Sequence, residues 1–400
     1  MKILMNKFKA GLLGVVGVGL IHVPAYAVED VLNTPAMKTE LAAENLLLDI
    51  AKAGERLVSV GYRGHIIYSD NAGDAWKQAD VPVSVLLNAV SFVDENYGWA
   101  VGHSGVVLNT TDGGLTWKTQ FDGNDANKMI ITQAEKRLEL ALAKVENASE
   151  DDLDDLEYAA EDAEFALEDA QIDAEVGASK PFLDVLFSSR TDGFAVGAYG
   201  YFFKTKDGGE TWHNYGGRIQ NPDRFHLNSI NKMKDGSLFI VGEAGVMYRS
   251  QDGGESWDTI DSPYSGSFFG VTGSHENNVV IAFGLRGHVF RSQDLGNSWV
   301  EINTGSDSAL MSASISQEGD ISIVGNSGTV LFSENGGRSF SEIIREDRLS
   351  NTSAVFVEPG RDGEAVRRFA RGARQQCGDR PALFPTNDSG QSPATGLPDA

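Results

Sequence analysis

Short runs of alternating apolar and polar residues, separated by Gly, Asp and Asn, recur along most of this chain. In one unit the runs are Ala89–Val93, Gly98–Val101, Val106–Leu108 and Trp117–Thr119. Runs of this length, bounded by turn residues, predict short β-strands, since a helix would space its apolar residues by 3.6 positions. Four such strands in a unit of about 42 residues are typical of one β-propeller blade.

The units share an eight-residue frame, Ser/Thr-x-Asp-x-Gly-x-x-Trp, of which Thr110–Trp117 is one copy. Four full copies and two weaker ones, the first and the last, end at Trp76, Trp117, Trp212, Trp257, Trp299 and Phe340. Successive ends lie 41, 95, 45, 42 and 41 residues apart. Five of the six units therefore share one period, and a long insertion separates the second unit from the third.

A second signature, Val-Gly-x-x-Gly, precedes each frame. Its copies are Val60–Gly64, Val101–Gly105, Val196–Gly200, Val241–Gly245 and Val324–Gly328, with Phe283–Gly287 as a variant. Six blades are therefore clear, and 353–357 resembles the innermost strand of a seventh, degenerate blade. N-terminal residues are the expected source of further strands if the seventh blade is completed. The predicted domain is an all-β propeller of seven four-stranded blades over 28–360.

The insertion between the second and third units has the apolar spacing of helices. In both 131–148 and 153–174 the apolar residues step alternately by three and four positions. Such seams predict two helices packed against each other, and Ser149 is the expected N-cap of the second. The segment 122–178 is therefore predicted to be an antiparallel α-helical hairpin inserted in the propeller.

The predicted hairpin is strongly acidic. Residues 150–175 contain 13 acidic side chains and no basic one, and 122–177 carry a net charge of −14, out of −24 for the whole chain. Tyr158, Phe165 and Ile172 share the helix face that points away from the partner helix. This apolar stripe is expected either to lie on the propeller, or to form a docking surface that suits a basic partner or a second copy of the chain.

The two ends of the chain are expected to lie outside the fold. Residues 1–27 have the basic start, the apolar stretch and the Ala25-Tyr26-Ala27 cleavage site of a signal peptide, with an uncleaved anchor as the alternative. The mature protein is then soluble and exported, to the periplasm or, in a photosynthetic organism, the thylakoid lumen. Residues 361–400 are rich in Arg, then in Pro, Ser and Gly, and are expected to be mostly disordered.

Composition excludes two further possibilities. The single cysteine, Cys377, cannot form an internal disulfide, so the fold must be held by packing alone. The net charge of −24 argues against nucleic acid as a partner, because phosphate binding needs a basic surface.

The repeated frame invites a catalytic interpretation, which its repetition opposes. Its aspartates and closing tryptophans are Asp112, Trp117, Asp207, Trp212, Asp252, Trp257, Asp294 and Trp299. Copies in successive blades point to different places around a ring, so these residues are predicted to be structural, with the Asp accepting turn hydrogen bonds and the Trp packing between sheets. The frame lacks the further ligands of a calcium loop. No catalytic residue, metal site, cofactor or small-molecule substrate is predicted.

The frame is the Asp-box motif, which sialidases, xyloglucanases and sorting receptors share. Its regular pairing with Val-Gly-x-x-Gly resembles the photosystem II stability and assembly factor family over about 45–355, apart from the hairpin. This resemblance implies a non-enzymatic, seven-bladed propeller that binds an unassembled membrane protein. The acidic hairpin and the degenerate seventh blade depart from the family pattern, as does the absence of the lipoprotein cysteine found in some members.

Arg63 and Arg286 occupy the same slot, the second x of Val-Gly-x-x-Gly. In a ring, equivalent slots lie at one radius and height, and the resembled family presents an Arg-bearing patch to its partner. Both arginines are therefore candidate partner-binding residues, together with the stripe on the hairpin. Two solvated surface arginines are the simpler interpretation.

Two other functions remain open from sequence. A sialidase needs an arginine triad and commonly carries Arg-Ile-Pro, to which Arg218-Ile219-Gln220 is the nearest segment. Other glycosidases need two carboxylates at one cleft, which an acidic chain does not exclude. The second alternative is an accessory protein of a cell-envelope transporter.

Overall fold

A computed structural model describes residues 30–357 of the chain and the backbone of a strand at 366–371. The signal peptide predicted for 1–27 lies outside the described residues, as does most of 361–400. Among the described residues no helix is both long and apolar enough to cross a membrane.

Six four-stranded antiparallel sheets follow one another, each with its strands in chain order. The first three sheets consist of β1 (Leu47–Ala53), β2 (Arg56–Gly61), β3 (Ile66–Ser69) and β4 (Lys77–Gln78), then β5 (Leu87–Phe92), β6 (Gly98–Gly102), β7 (Val107–Thr110) and β8 (Lys118–Phe121), then β9 (Phe182–Phe187), β10 (Gly193–Gly197), β11 (Phe202–Thr205) and β12 (His213–Asn214).

The remaining three sheets have the same order. They consist of β13 (Leu227–Lys232), β14 (Leu238–Gly242), β15 (Met247–Ser250) and β16 (Asp258–Thr259), then β17 (Phe268–Thr272), β18 (Val280–Gly284), β19 (Val289–Ser292) and β20 (Val300–Ile302), then β21 (Leu310–Ile315), β22 (Ile321–Gly325), β23 (Thr329–Ser333) and β24 (Ser341–Ile344). Short 3-10 turns lie at Ala42–Glu44, Tyr62–Gly64, His103–Gly105, Ala198–Gly200, Gly216–Arg218, Glu243–Gly245, Leu285–Gly287 and Asn326–Gly328.

A seventh, two-stranded sheet closes the ring. It consists of β25 (Asn351–Val357) and β26 (Val366–Arg371), and β25 lies between the first strands of the sixth and first sheets. The predicted propeller is confirmed, and the predicted innermost strand of the seventh blade is present. Among the described residues this blade has two strands, where the sequence predicted four. A strand also exists within the segment 361–400 that the sequence placed outside the fold.

The N-terminal residues described here do not add a strand to this seventh sheet. They lie instead along the first blade, where the Ala36 N–H donates to the Val81 carbonyl at 3.0 Å and Lys38 Nζ to the Ala79 carbonyl at 2.7 Å. Ring closure thus rests on β25, whose Thr352 hydroxyl donates to the Leu47 carbonyl of β1 at 3.0 Å.

The core lies between neighbouring blades, where each Asp-box aromatic packs on the blade before it. Trp117 of the second blade is 4% exposed and joins a buried cluster with Val58, Val60 and Ile66 of the first. Trp212 is similarly buried against Phe121 of the second blade. The packing role predicted for these tryptophans follows from the radial arrangement of the sheets.

The insertion forms two antiparallel helices, α1 (Gly123–Glu146) and α2 (Leu153–Val176), between β8 and β9. The predicted seam faces inward: Ala134 on α1 and Ala160, Ala163 and Ala170 on α2 are buried. The N-cap prediction was wrong. Asp152 precedes α2, and the Ser149 hydroxyl donates to its carboxylate at 2.7 Å.

Candidate docking surfaces

The ring has two faces with different connections. Neighbouring strands of a blade run antiparallel. The turn from the second strand to the third therefore lies at the same end of the sheet as the connection from the fourth strand to the next blade. This end is called the loop face, and the hairpin rises from it between β8 and β9. The Asp-boxes join third strands to fourth strands and therefore lie at the opposite end, the Asp-box face.

On the Asp-box face each aspartate is used as a hydrogen-bond acceptor within its own turn. Asp112 accepts from the Thr110 hydroxyl at 2.8 Å, from the Thr116 hydroxyl at 2.6 Å and from the Thr116 N–H at 3.0 Å. Asp207, Asp252 and Asp294 repeat this pattern.

Electrostatics and a natural substitution support the same structural role. The Ser256 hydroxyl, with other donors of the turn, holds the pKa of Asp252 well below its usual range, so this carboxylate is not a proton donor at neutral pH. Asn335 replaces the aspartate in the sixth blade and still accepts from the Ser333 hydroxyl at 2.9 Å and the Ser339 N–H at 3.1 Å. An acceptor oxygen is therefore the shared requirement of the turn.

The loop face carries the Val-Gly-x-x-Gly turns, and in each the second x adopts a left-handed backbone conformation. These residues are Arg63, Ser104, Tyr199, Ala244, Arg286 and Ser327, with φ between 53° and 58°. Six different side chains share one φ, so the conformation belongs to the turn and not to a particular function. It points the equivalent side chains outward from the same face.

Arg63 and Arg286 are both exposed on the loop face, in the first and fifth blades. Within the part of the chain that the structure describes, neither guanidinium forms an ion pair or a hydrogen bond. The Arg63 guanidinium lies 5.5 Å from the ring centre of Tyr62, which is itself 45% exposed. Two unpaired cations on a chain of charge −24 are free to bind an anionic group.

Two aromatic residues of this face were not identified from the sequence. Tyr62 is the first x of the turn in the first blade, Tyr199 is the second x of the equivalent turn in the third blade, and Tyr199 is 55% exposed. The Lys180 ammonium lies 5.8 Å from the Tyr199 ring centre, within the range of a cation–π contact. The Lys180 ammonium is ion-paired with Asp173 and its side chain is only 14% exposed. Of these two cations, Arg63 beside Tyr62 is therefore the one exposed on the loop face.

The hairpin is attached to the loop face at its base. Asn214 Nδ2 of β12 donates to Gln133 Oε1 of α1 at 2.9 Å, and Arg224 Nη2 lies 3.0 Å from Asp169 Oδ2 of α2. Beyond these contacts Tyr158, Phe165 and Ile172 are 74%, 66% and 61% exposed. The stripe predicted from sequence therefore faces solvent and does not pack on the propeller.

Two acidic side chains line the central channel and were also missed. Asp49 on β1 and Asp184 on β9 occupy the same slot of two innermost strands, whose free edges face the channel. Asp49 Oδ2 accepts from the Val90 N–H at 2.8 Å, and Asp184 Oδ2 from the Ile230 N–H at 2.9 Å. Each carboxylate thus joins its blade to the next one by satisfying an edge N–H.

The channel disfavours the charged form of both groups. Burial and, to a smaller extent, the nearby Asp49 carboxylate raise the pKa of Asp184 to about 7, while the hydrogen bond from Ile230 opposes this shift. Burial also raises the pKa of Asp49. Since the folded state binds a proton more tightly than the unfolded state, Asp184 lowers the free energy of unfolding as pH rises from about 4 to 7.

We expect Asp184→Ser, which introduces the residue found at the equivalent Ser229 and Ser312, to weaken the pH dependence of stability. Between pH 5 and pH 8 the melting temperature of the wild type should fall by roughly 4 °C more than that of the variant. Thermal unfolding followed by circular dichroism at both pH values measures the difference. Parallel curves would contradict a raised pKa for Asp184.

No metal site emerges among residues 30–357, in which no three His, Cys, Asp or Glu side chains cluster. His288 Nδ1 instead lies 2.6 Å from Glu301 Oε1, and His65 Nδ1 lies 3.2 Å from Asn45 Nδ2. The two histidines thus have separate polar partners in separate blades.

Comparison with known proteins points to one family. A sequence profile of the family described as Photosynthesis system II assembly factor YCF48 matches residues 68–137 and 166–304, just over half of the chain. The chain is also 48% identical over 48 residues to the chloroplastic photosystem II stability/assembly factor HCF136 of Cyanidioschyzon merolae. That match covers 12% of this chain and 11% of the relative, so it spans about a ninth of that protein's length.

Two solved propellers are similar in fold. The structure of YCF48 bound to D1 peptide has a TM-score of 0.55 at 14% identity, over 82% of this chain and 92% of that one. The WD40 β-propeller domain of Doa1 has a TM-score of 0.52 at 10% identity, over 85% and 93% of the two chains. At such identities the likeness concerns the propeller alone.

Proposed function

The chain belongs to the Photosynthesis system II assembly factor YCF48 family, and from this membership we propose that it is an exported, non-enzymatic propeller that binds a membrane-protein partner while a complex is assembled or stabilised. Family membership supports the assembly role. The structure of YCF48 bound to D1 peptide supports a propeller of this shape holding a peptide segment. Export rests on the signal peptide predicted for residues 1–27.

The pair of unpaired guanidiniums at Arg63 and Arg286 is the observation that carries the partner-binding proposal. Both lie within loop-face turns, and in each turn a backbone N–H donates to the carbonyl of the residue just before an innermost strand, Leu46 or Ser267. Arginine is suited to carboxylates because its planar fork donates two parallel hydrogen bonds. We therefore propose that the loop face holds a carboxylate-bearing segment of the partner.

The non-enzymatic role is supported by the acids of the repeat. The Asp-box carboxylates are saturated with donors of their own turns, and Asp49 and Asp184 accept from edge N–H groups of the next blade. A general acid or base must instead present its carboxyl group to a substrate.

Reversal of both charges, in Arg63→Glu combined with Arg286→Glu, is expected to abolish capture of the partner. The full chain is used as bait in crosslinking and pull-down from native membranes, with captured proteins quantified by mass spectrometry. Wild-type bait should enrich one membrane protein, and the double variant should lose at least nine-tenths of that signal, because repulsion replaces a charge-assisted contact.

The matched control is Lys77→Glu combined with Lys118→Glu. These two exposed lysines lie on the outer strands β4 and β8, so the control makes the same change of net charge away from the loop face. It should capture the partner as the wild type does. Equal capture by the arginine variant would refute the proposed site, and equal loss in both variants would reduce it to a general charge effect.

A further inference from the structure

The outer face of α2 carries a row of exposed apolar residues flanked by carboxylates. Tyr158, Phe165 and Ile172 repeat every seven residues and are exposed. They span 14 residues, or roughly 21 Å at the rise of an α-helix. Exposed apolar residues in such a row mark a surface that another molecule covers.

Carboxylates enclose this stripe. On a helix the side neighbours of a residue lie three and four positions away, and for Tyr158 and Phe165 every such neighbour is acidic. These neighbours are Asp154, Asp155, Glu161, Asp162, Glu168 and Asp169. The apolar stripe therefore lies within a negative electrostatic potential, which a partner must complement with positive charge.

Most of these carboxylates are uncompensated. Asp162 pairs with Arg137 and Asp169 with Arg224, whereas Asp154, Asp155, Glu161 and Glu168 form no ion pair with any residue of the described chain. Like charges three and four residues apart repel each other and destabilise a helix. A cationic partner would remove this repulsion as it covers the stripe.

We propose that the outer face of α2 docks a cationic amphipathic helix of a partner protein. Apolar side chains spaced by three and four residues on that helix match the seven-residue spacing of the stripe, and its Lys or Arg residues meet the flanking carboxylates. This surface is separate from Arg63 and Arg286, so it is a second docking site and does not depend on the function proposed for the loop face.

Charge argues against the other occupants. A second copy would bring two segments of charge −14 together, within the Debye length of about 8 Å at physiological salt. An anionic lipid surface is repelled for the same reason. The chain's own C-terminal residues 372–400 contain two arginines and three aspartates, so they are not the cationic segment required.

The test uses the full chain and a fluorescent 21-residue peptide of leucine and lysine, with the leucines spaced by three and four residues. A shuffled peptide of identical composition, whose leucines do not share a face, is the peptide control. Fluorescence anisotropy at 100 mM salt should show saturable binding of the first peptide, at least tenfold tighter than the second. Equal affinities would leave only non-specific charge attraction and overturn the proposal.

Protein variants separate the stripe from the rest of the hairpin. Tyr158→Ser, Phe165→Ser and Ile172→Ser together should weaken binding at least tenfold, with helix content unchanged by circular dichroism. The matched control is Leu140→Ser with Leu142→Ser, which alters two leucines of α1 that are 56% and 50% exposed and should bind as the wild type. An equal loss in this control would overturn the assignment to the stripe.

A charge variant tests the contribution of the carboxylates that flank the stripe. Asp154→Asn, Asp155→Asn, Glu161→Gln and Glu168→Gln together should also weaken binding at least tenfold and flatten its salt dependence. Unchanged affinity would show that these carboxylates do not contribute to binding and would refute a cationic partner. The Arg63→Glu, Arg286→Glu variant should bind the peptide normally, so failure of either site is seen independently of the other.

Sedimentation velocity and vesicle binding address the competing occupants. The full chain should sediment as a monomer and should not bind vesicles that contain phosphatidylglycerol. A dimer, or vesicle binding, that the three serine substitutions abolish would assign the stripe to a second copy or to lipid and would overturn the proposal.

Discussion

Trp117→Ala is expected to destabilise the propeller by about 3–5 kcal/mol, the range for removing a buried large aromatic side chain. The indole is 4% exposed, lies against Val58 and Val60 of the preceding blade and meets the Phe92 ring edge-on at a centroid distance of 6.1 Å. The indole N–H also donates to the Gly114 carbonyl at 3.1 Å. Loss of the side chain leaves a cavity between two blades that rigid sheets cannot close.

Urea unfolding followed by circular dichroism measures this change without relying on tryptophan fluorescence. Trp117→Phe is the matched variant, because Phe340 occupies the equivalent position of the sixth blade and packs in its interblade cluster. It should lose less than half as much stability as the alanine variant. A loss below about 1 kcal/mol for Trp117→Ala would contradict the interblade packing, since buried aromatic truncations exceed that value.

The blades and the hairpin could be predicted because their patterns repeat. The six copies of the Asp-box predict the six four-stranded sheets, and the seam from Leu153 to Ala174 predicts the helix face that meets its partner helix. The same heptad places Phe165 opposite the seam, but it does not decide whether that face lies on the propeller, and only the structure shows that Phe165 is 66% exposed. The repeated blades and the helix seam depend on local spacing, which a sequence displays directly.

The channel acids could not be predicted in this way. Asp49 and Asp184 are placed by the closure of the ring, which brings the free edge of one innermost strand against the next. The one available signal was an acid in a slot where other blades have Ala89 or Ser229. That signal has meaning only after the innermost strands have been aligned, and it does not reveal which N–H the carboxylate accepts.

The strand Val366–Arg371 was missed for a compositional reason. Its charged residues and the Pro- and Gly-rich sequence that follows are typical of disorder. Pairing with β25, in which Ala354 lies opposite Phe369, is a long-range contact of the folded ring. Composition does not record such a contact.

The first glycine of the Val-Gly-x-x-Gly turn lies in close contact with the backbone just before the innermost strand. The Glu243 N–H donates to the His226 carbonyl at 2.9 Å, which draws the turn onto the start of β13. A Cβ atom at Gly242 would lie 2.1 Å from that same carbonyl oxygen. The φ of −161° at Gly242 is open to any residue, so the constraint is close approach of two backbone segments and not backbone conformation.

Gly242→Ala is therefore expected to cost roughly 2–4 kcal/mol, combining overpacking with loss of the turn hydrogen bond. Gly217→Ala is the matched control, because no atom lies within 4 Å of its added Cβ, and its stability should change by less than about 0.5 kcal/mol. Urea midpoints of the two variants measure the contrast.

The six turns share this constraint, and it explains why glycine recurs where the preceding valine varies. The added Cβ would lie 2.1 to 2.3 Å from a carbonyl oxygen at Gly61, Gly102, Gly197, Gly242, Gly284 and Gly325. The fifth turn has Phe283 in place of the valine yet keeps Gly284. A buried apolar position can hold several different side chains, whereas the close backbone contact leaves no room for any Cβ atom. If Gly242→Ala were as stable as the control, this contact would not fix the turn, and the common orientation of Arg63 and Arg286 on the loop face would need another cause.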